Sequence, residues 1–236
     1  MTKPALAAAL GVGAFIGYYF AATRARRKRA ALGAYEPLTE AMLTSSPLDL
    51  LRKWIRRDEC PVQFMVLATS SPSEGATART VVLHWITETG DMLIGTATDS
   101  LKSRQLREDP RAEAVLRWGN RQVRVRGVMR PGTAEENEAV FRDQPPGATV
   151  GLPMLKQGHA IDEAGHASLV ARWEAAWANG ATTPACPPCY VAWRLEPHSV
   201  EFYSGGHAGF MNDRYLYVRQ SGSGPTMEWQ RLRLQA

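Results

Sequence analysis

The 236-residue chain has only three cysteines, too few for a disulfide framework. Cys186-Pro-Pro-Cys189 has the spacing of a redox or metal dyad, but no second ligand pair and no paired histidine motif accompanies it. It reads instead as two small residues in a proline-rich loop before a strand, and a metal site is not expected. Cys60 stands alone before Pro61, and no internal repeat is visible. Acidic residues are also missing from the start of the chain. None occurs before Glu36, whereas Arg24, Arg26, Arg27, Lys28 and Arg29 form one block. The formal net charge of +5 traces to that block, and the remainder is near neutral. With no basic stripe interleaved with aromatics in the rest of the chain, no nucleic-acid partner is expected.

Charge of either sign is absent from residues 4 to 23, a run rich in Ala and Gly. At about 1.5 Å per residue such a helix just crosses a hydrocarbon core of about 30 Å. Tyr18 and Tyr19 suit an interface, and the basic block follows the run while only Lys3 precedes it. The positive-inside rule then keeps the main domain on the cytosolic side. Residues 1–30 are thus read as an N-terminal apolar helix that anchors the chain in a membrane or targets it. A secretory signal fits less well, because its charge belongs ahead of the apolar region. A mitochondrial presequence is the alternative, since the first 35 residues lack acids. Residues 31–45 read as a linker and 46–236 as one domain, long enough to bury a full core.

Within that domain, Ser46-Pro47 opens a helix with a cap and a first-turn proline, and Leu48, Leu51 and Ile55 share one face. A strand follows over Val62 to Thr69. The segment from Arg79 through His84 and Trp85 to Met92–Thr96 reads as a hairpin turning at Thr-Gly-Asp. It feeds a short helix capped by Asp99 or Ser100, with Lys102 and Arg104 in its first turns. Cations beside a positive helix end repel each other unless an anion is expected there, and Arg79 can aim at the same place. A phosphate would relieve that crowding.

Ala112–Trp118 and Gln122–Met129 form a second hairpin around Gly119-Asn120, with Gln122, Arg124 and Arg126 on its polar face. Helical patterns cover Ala134–Arg142, stopping at Pro145-Pro146-Gly147, and Asp162–Asn179. In the latter, Leu169, Trp173, Ala176 and Trp177 form a stripe read as core. Four short strands over Tyr190–Leu195, Val200–Tyr203, Arg214–Arg219 and Met227–Leu234 complete a mainly β (α+β) chain, a small barrel with helical covers.

Several local patterns then fall in order: Arg79-Thr-Val-Val-Leu-His84, Gly95-Thr96, Ser100-Leu-Lys102, Asp109-Pro-Arg111, Arg121-Gln122-Val, Lys156-Gln157, Val200-Glu-Phe-Tyr203, Asp213-Arg214-Tyr-Leu-Tyr217, and Trp229 with Arg233-Leu234. In this order and spacing, residues 46 to 236 resemble the pyridoxine (pyridoxamine) 5′-phosphate oxidase family. The resemblance implies an FMN-binding six-stranded split β-barrel, a homodimer with each flavin in the dimer cleft. It implies oxidation of a small B6 vitamer phosphate to pyridoxal 5′-phosphate by flavin and oxygen. It puts Arg79 and Lys102 on the FMN phosphate, and Val81, Val82, Gly95 and Thr96 beside the flavin and its ribityl chain. Gln122, Gln157 and Arg214 become cofactor contacts, with Gln157 arriving from the second subunit, and Tyr203 replaces a usual Trp as an aromatic wall. Leu101 stands where the family has a second Arg, and Gly158 where it has Ser.

The substrate end departs further. His84 occupies the place of a substrate-phosphate Lys and can take over that contact when protonated. Val140, Gln144 and Ala148 align with a Tyr, an Arg and a Ser. Ala208-Gly-Phe-Met-Asn212 replaces a segment bearing an Arg-x-His pair, and Phe210 and Met211 suit a neutral ligand. The alternative is therefore a membrane-tethered FMN protein that acts on another small substrate or only binds flavin.

Overall fold

A computed structural model describes residues 37–55, 62–178, 184–207, 211–220 and 228–235. The apolar run over 4–23 lies outside the described residues, as do Phe210 and the rest of 208–210. No helix among the described residues is long and apolar enough to cross a membrane.

Helix α1 (Pro47–Ile55) starts at the expected proline, with Ser46 Oγ accepting the Leu48 N–H at 3.3 Å. Its apolar face, Leu51, Trp54 and Ile55, is buried in the main core. Residues inside the stretch read as a linker pack there too. Leu38 and Leu43 are buried, the Leu38 N–H donates to Asp213, and Tyr217 donates to the Thr44 carbonyl. Apolar side chains spaced among polar ones gave that segment no period, so only packing reveals them.

Nine strands form one antiparallel sheet: β1 (Gln63–Ser71), β2 (Gly75–Leu83), β3 (Trp85–Ile86), β4 (Met92–Ala97), β5 (Arg111–Trp118), β6 (Arg121–Pro131), β7 (Tyr190–His207), β8 (Met211–Arg219) and β9 (Trp229–Arg233). The order β2-β1-β5-β6-β7-β4-β3 curls into a half-barrel, with β8 and then β9 added beside β7. The hairpin expected from Arg79 to Thr96 is not formed as such. β2 pairs along its whole length with β1, and only Trp85–Ile86 pair with Met92 and Leu93. Between them the His84 N–H donates to the Leu93 carbonyl at 2.9 Å, joining the two ends of the curled sheet. The chain therefore changes partners at His84, from β1 to β4.

Strand β7 spans the distance. It pairs with β4 over Tyr190–Leu195 and with β8 from Ser199 onward, while β6 lines its other edge. Pro197, which has no N–H, falls at the changeover where neither β4 nor β8 is paired. A register shift in β6 occurs at Arg126/Gly127, and a Cβ on Gly127 would lie 2.2 Å from the Glu196 carbonyl oxygen. Only glycine fits this approach of two backbones.

Helix α2 (Leu101–Glu108) and helix α3 (Ala134–Arg142) match their sequence patterns, and Thr133 with Glu136 forms a capping box on α3. The prolines expected to end the helical stretch instead begin another. Pro146 is the first residue of α4 (Pro146–Gly151), where its missing N–H costs nothing, and a 3₁₀ turn follows over Leu152–Met154. In α5 (Glu163–Ala178) no residue is buried. The tryptophan stripe is a half-covered surface face rather than core: Trp173 and Trp177 stack at 5.9 Å, and Trp177 is 45% exposed. Periodicity finds such a face but not what covers it.

Candidate functional site

One cleft is built where β2, β4, α2, α3 and α4 meet. It is lined by Arg79, Val81, Val82, His84, Gly95, Thr96, Lys102 and Gln157 from the sequence reading, together with Gln144, Ala148, Leu152 and Tyr190. Arg79 sits mid-strand on β2, facing across β1 toward α2. Its guanidinium donates to the Leu67 carbonyl at 3.0 Å, to Thr69 at 2.8 Å, to Thr77, and to the side-chain oxygen of Gln105 at 3.2 Å. Gln105 is fully buried and donates in turn to the Gly75 carbonyl, which locks the arrangement.

Ser100 caps α2, accepting the Ser103 N–H, and this orients Lys102 inward, where it is only 7% exposed. The ammonium donates to Thr96 at 2.8 Å, and Thr96 donates to Gln157 at 2.8 Å. Burial, then the positive charge of Arg79, pushes the Lys102 pKa down to about 8. Burial likewise lowers Arg79. Neither cation forms an ion pair among the described residues, whereas Arg104, Arg111, Arg124, Arg130, Arg194 and Arg214 each hold a carboxylate. Buried cations without acids are costly unless a ligand supplies the anion. The expected convergence of strand and helix cations is present. Arg79, however, reaches α2 at Gln105, a turn beyond the helix start.

Gly95 faces the wall of this cleft. A Cβ there would lie 1.7 Å from the Tyr190 hydroxyl and 2.7 Å from Val140. Glycine lets Tyr190 and fully buried Val140 close the floor. Gln157, expected from a second subunit, is brought to Thr96 by its own chain, because the 3₁₀ turn over Leu152–Met154 carries the backbone back over β4.

The other three expected contacts lie elsewhere. Gln122, Tyr203 and Arg214 are register partners on β6, β7 and β8, so they form one row across the sheet. Gln122 and Tyr203 border a second cavity with Arg117, Asn120 and Arg121, and Arg214 pairs with Glu201 at 3.1 Å. Tyr190 and Tyr203 belong to the same strand, and at about 3.3 Å per residue their separation is about 40 Å of extended chain. The two groups of one chain do not face one small ligand.

At the end of the first cleft, His84 is 2% exposed and its Nδ1 lies 2.6 Å from an Asp143 carboxylate oxygen. The Gln144 amide nitrogen lies 2.9 Å from His84 Nε2 and donates to the Tyr190 hydroxyl at 2.9 Å. Burial raises the Tyr190 phenol above its ordinary range. Asp143 and Tyr190 escaped the sequence reading. Asp143 follows a helix like any exposed C-terminal residue, and Tyr190 looks like an ordinary strand start.

In one cleft of the curled half-barrel sheet stand two cations with no ion pair among the described residues, a lining suited to an anion. The chain belongs to the pyridoxine/pyridoxamine 5′-phosphate oxidase family. It is 32% identical over 194 residues to the pyridoxine/pyridoxamine 5′-phosphate oxidase of Pseudomonas paraeruginosa, covering 78% of this chain and 88% of that one. To the Rubrobacter xylanophilus enzyme of the same name it is 34% identical over 178 residues, covering 72% and 76%. Among solved structures it is similar in fold to PhzG from Burkholderia lata, in complex with tetrahydrophenazine-1-carboxylic acid. The TM-score is 0.75 at 24% identity, covering 86% of this chain and all of that one. It also resembles a pyridoxamine 5′-phosphate oxidase-related, FMN-binding protein from Nostoc punctiforme, with a TM-score of 0.63 at 18% identity, covering 83% and 100%. No family model matches the chain.

Proposed function

We propose that this protein is an FMN-dependent oxidoreductase of the pyridoxine/pyridoxamine 5′-phosphate oxidase type, with the FMN phosphate held by Arg79 and Lys102. The observation that carries this reading is the buried Lys102 and half-buried Arg79 in one cleft, with no ion pair to either among the described residues. FMN is the cofactor, and its phosphate is the anion that such a pair accepts. Val81, Val82, Gly95 and Thr96 line the strand walls, and Gln157 reaches the same region through Thr96. When bound, FMN supplies a two-electron acceptor, while the chain binds, orients and shields. The nominal reaction is oxidation of pyridoxine or pyridoxamine 5′-phosphate to pyridoxal 5′-phosphate with oxygen as acceptor.

The purified protein is expected to be yellow, with flavin near stoichiometric, and to release peroxide on pyridoxine 5′-phosphate. A colourless protein that FMN cannot reconstitute overturns the cofactor reading. Flavin without peroxide sets aside only the B6 reaction. A second reading is favoured by the carboxylate of Asp143 against His84: the flavin site is kept and another small substrate is used. Membrane attachment through residues 4–23, with the main domain facing the cytosol, rests on the sequence alone.

The functional unit is a homodimer. Phe64 is 62% exposed and Val66 is 42% exposed on the outer face of β1, where Phe64 pairs with Val82 and Val66 with Thr80, both lining the cleft. A second copy against this face brings its own Gln122–Tyr203–Arg214 row toward the flavin, which one chain alone does not do. Phe64→Glu is expected to give monomers by light scattering and at least tenfold weaker FMN binding. Dimers with unchanged affinity would refute the placement.

Titration of Lys102 gives a further expectation. Its pKa of about 8 describes the ligand-free protein, and a bound phosphate raises it. Below about pH 8 the ammonium is already charged, so affinity is flat. Above it a proton must be taken up on binding, so FMN affinity falls with rising pH, at most about tenfold per unit. Fluorescence titration from pH 7 to 9 should show this weakening, and Lys102→Gln should abolish it.

A further inference from the structure

We infer that His84, Asp143 and Gln144 form a substrate subsite that selects an unphosphorylated ring compound bearing an N–H or O–H donor, and rejects a phosphorylated one. The inference rests on the FMN reading, because that reading commits Arg79 and Lys102 to the cofactor. Among the described residues lining the cleft, these two are the only cations. Within the described lining that one chain supplies, a substrate phosphate therefore finds no Lys or Arg left to it, and the Arg214 that a second copy brings is committed to the flavin.

What it does find has the wrong sign. Asp143 lies 2.6 Å from His84 Nδ1, so the Nδ1 hydrogen is donated to the carboxylate and Nε2 keeps a lone pair turned to Gln144. That lone pair takes a hydrogen from the Gln144 amide nitrogen at 2.9 Å. The other hydrogen of the same nitrogen goes to the Tyr190 hydroxyl. Both donors of the amide are then spent, and its carbonyl oxygen is the group it offers a ligand. The subsite thus presents the Gln144 carbonyl oxygen as an acceptor, with the Asp143 carboxylate behind His84. A phosphate dianion, itself all acceptor, is repelled, and an N–H or O–H is matched.

The rest of the subsite is apolar. Ala148 and Leu152 belong both to this cleft and to a neighbouring cavity of about 350 Å³, closed by Met154, Leu169 and Trp173. That volume is within the range of small-molecule pockets, roughly 300 to 1,000 Å³. The ring compound lays its apolar body along Ala148 and Leu152 and turns its donor toward the Gln144 carbonyl oxygen.

Pyridoxine and pyridoxine 5′-phosphate differ only in the phosphate and serve as matched probes. Each is titrated into the FMN-loaded full chain under anaerobic conditions, following the flavin absorbance band. Unphosphorylated pyridoxine is expected to bind at least tenfold more tightly than its phosphate. In His84→Lys/Asp143→Asn the preference should reverse, and in Asp143→Asn, nearly isosteric at a half-exposed position, discrimination should shrink several-fold. If the wild type binds neither probe, a gain of phosphate binding in the double variant still supports the inference. Equal or tighter binding of the phosphate by the wild type overturns it, as does a double variant with no gain for phosphate. FMN loading is read first. Failure to load overturns the cofactor reading and this inference together, whereas loading followed by phosphate preference overturns this inference alone.

Discussion

FMN affinity is expected to fall by about a thousandfold when Arg79→Ala and Lys102→Ala are combined. Each hydrogen bond to a charged group contributes about 1.5 to 3 kcal/mol, and about 1.4 kcal/mol is a factor of ten in affinity. Two such groups on one phosphate account for two to four powers of ten. The variants also differ informatively. Among the described residues the Lys102 ammonium hydrogen-bonds only Thr96, so Lys102→Ala removes charge while breaking a single hydrogen bond. Arg79 additionally ties Leu67, Thr69 and Gln105 together, so Arg79→Ala loosens the β1–β2–α2 corner as well. Removing either cation relieves repulsion on the other, so the ligand-free protein should stay folded by circular dichroism. Flavin affinity within threefold of wild type in the double variant would remove the phosphate assignment.

Phe141→Ala is expected to destabilise the protein by about 3 to 5 kcal/mol, the usual cost of emptying a buried aromatic site. For a chain of this size that corresponds to a melting temperature lower by about 10 °C. Phe141 is fully buried in a small second core with Leu93, Val140, Tyr190 and Ala192, and its ring lies 5.2 Å from that of Tyr190. This core backs the Tyr190–Gln144–His84 chain of hydrogen bonds, so the cleft should loosen with it. Trp177→Ala, by contrast, removes a larger but exposed side chain and should change stability by no more than about 0.5 kcal/mol. A Phe141→Ala protein as stable as the Trp177→Ala protein would contradict the proposed packing.

Much of the fold was legible because local signals agreed with the final packing. Ser46-Pro47 and Ser100 start helices where the sequence says they should, and α3 begins at Ala134 as read, with a Thr133–Glu136 capping box that the sequence reading did not name. The alternation in Gln122-Val-Arg-Val-Arg puts Val123 and Val125 inside and Arg124 on Glu113. Pairing was less legible. Nothing local tells β2 to take β1 rather than β4 as its neighbour, since either choice keeps the same side chains apolar. Arg79 and Lys102 could be brought together by charge reasoning, because a strand cation and a first-turn cation both fall near one positive helix end. The His84–Asp143 contact joins positions 59 apart, and no periodicity reports it. Gln122, Tyr203 and Arg214 were recognisable only through family resemblance, because their alignment across three strands depends on register.

Strand β7 has no free edge where β4, β6 and β8 pair with it, and it carries Tyr190 at one end and Tyr203 toward the other. Amides held from both sides open only when most of the domain does. Fraying of surface helices such as α5 therefore leaves the spacing between these two rings intact. A molecule gripped near Tyr203 is thus seated against backbone held from both sides, whereas at Tyr190 only β4 pairs.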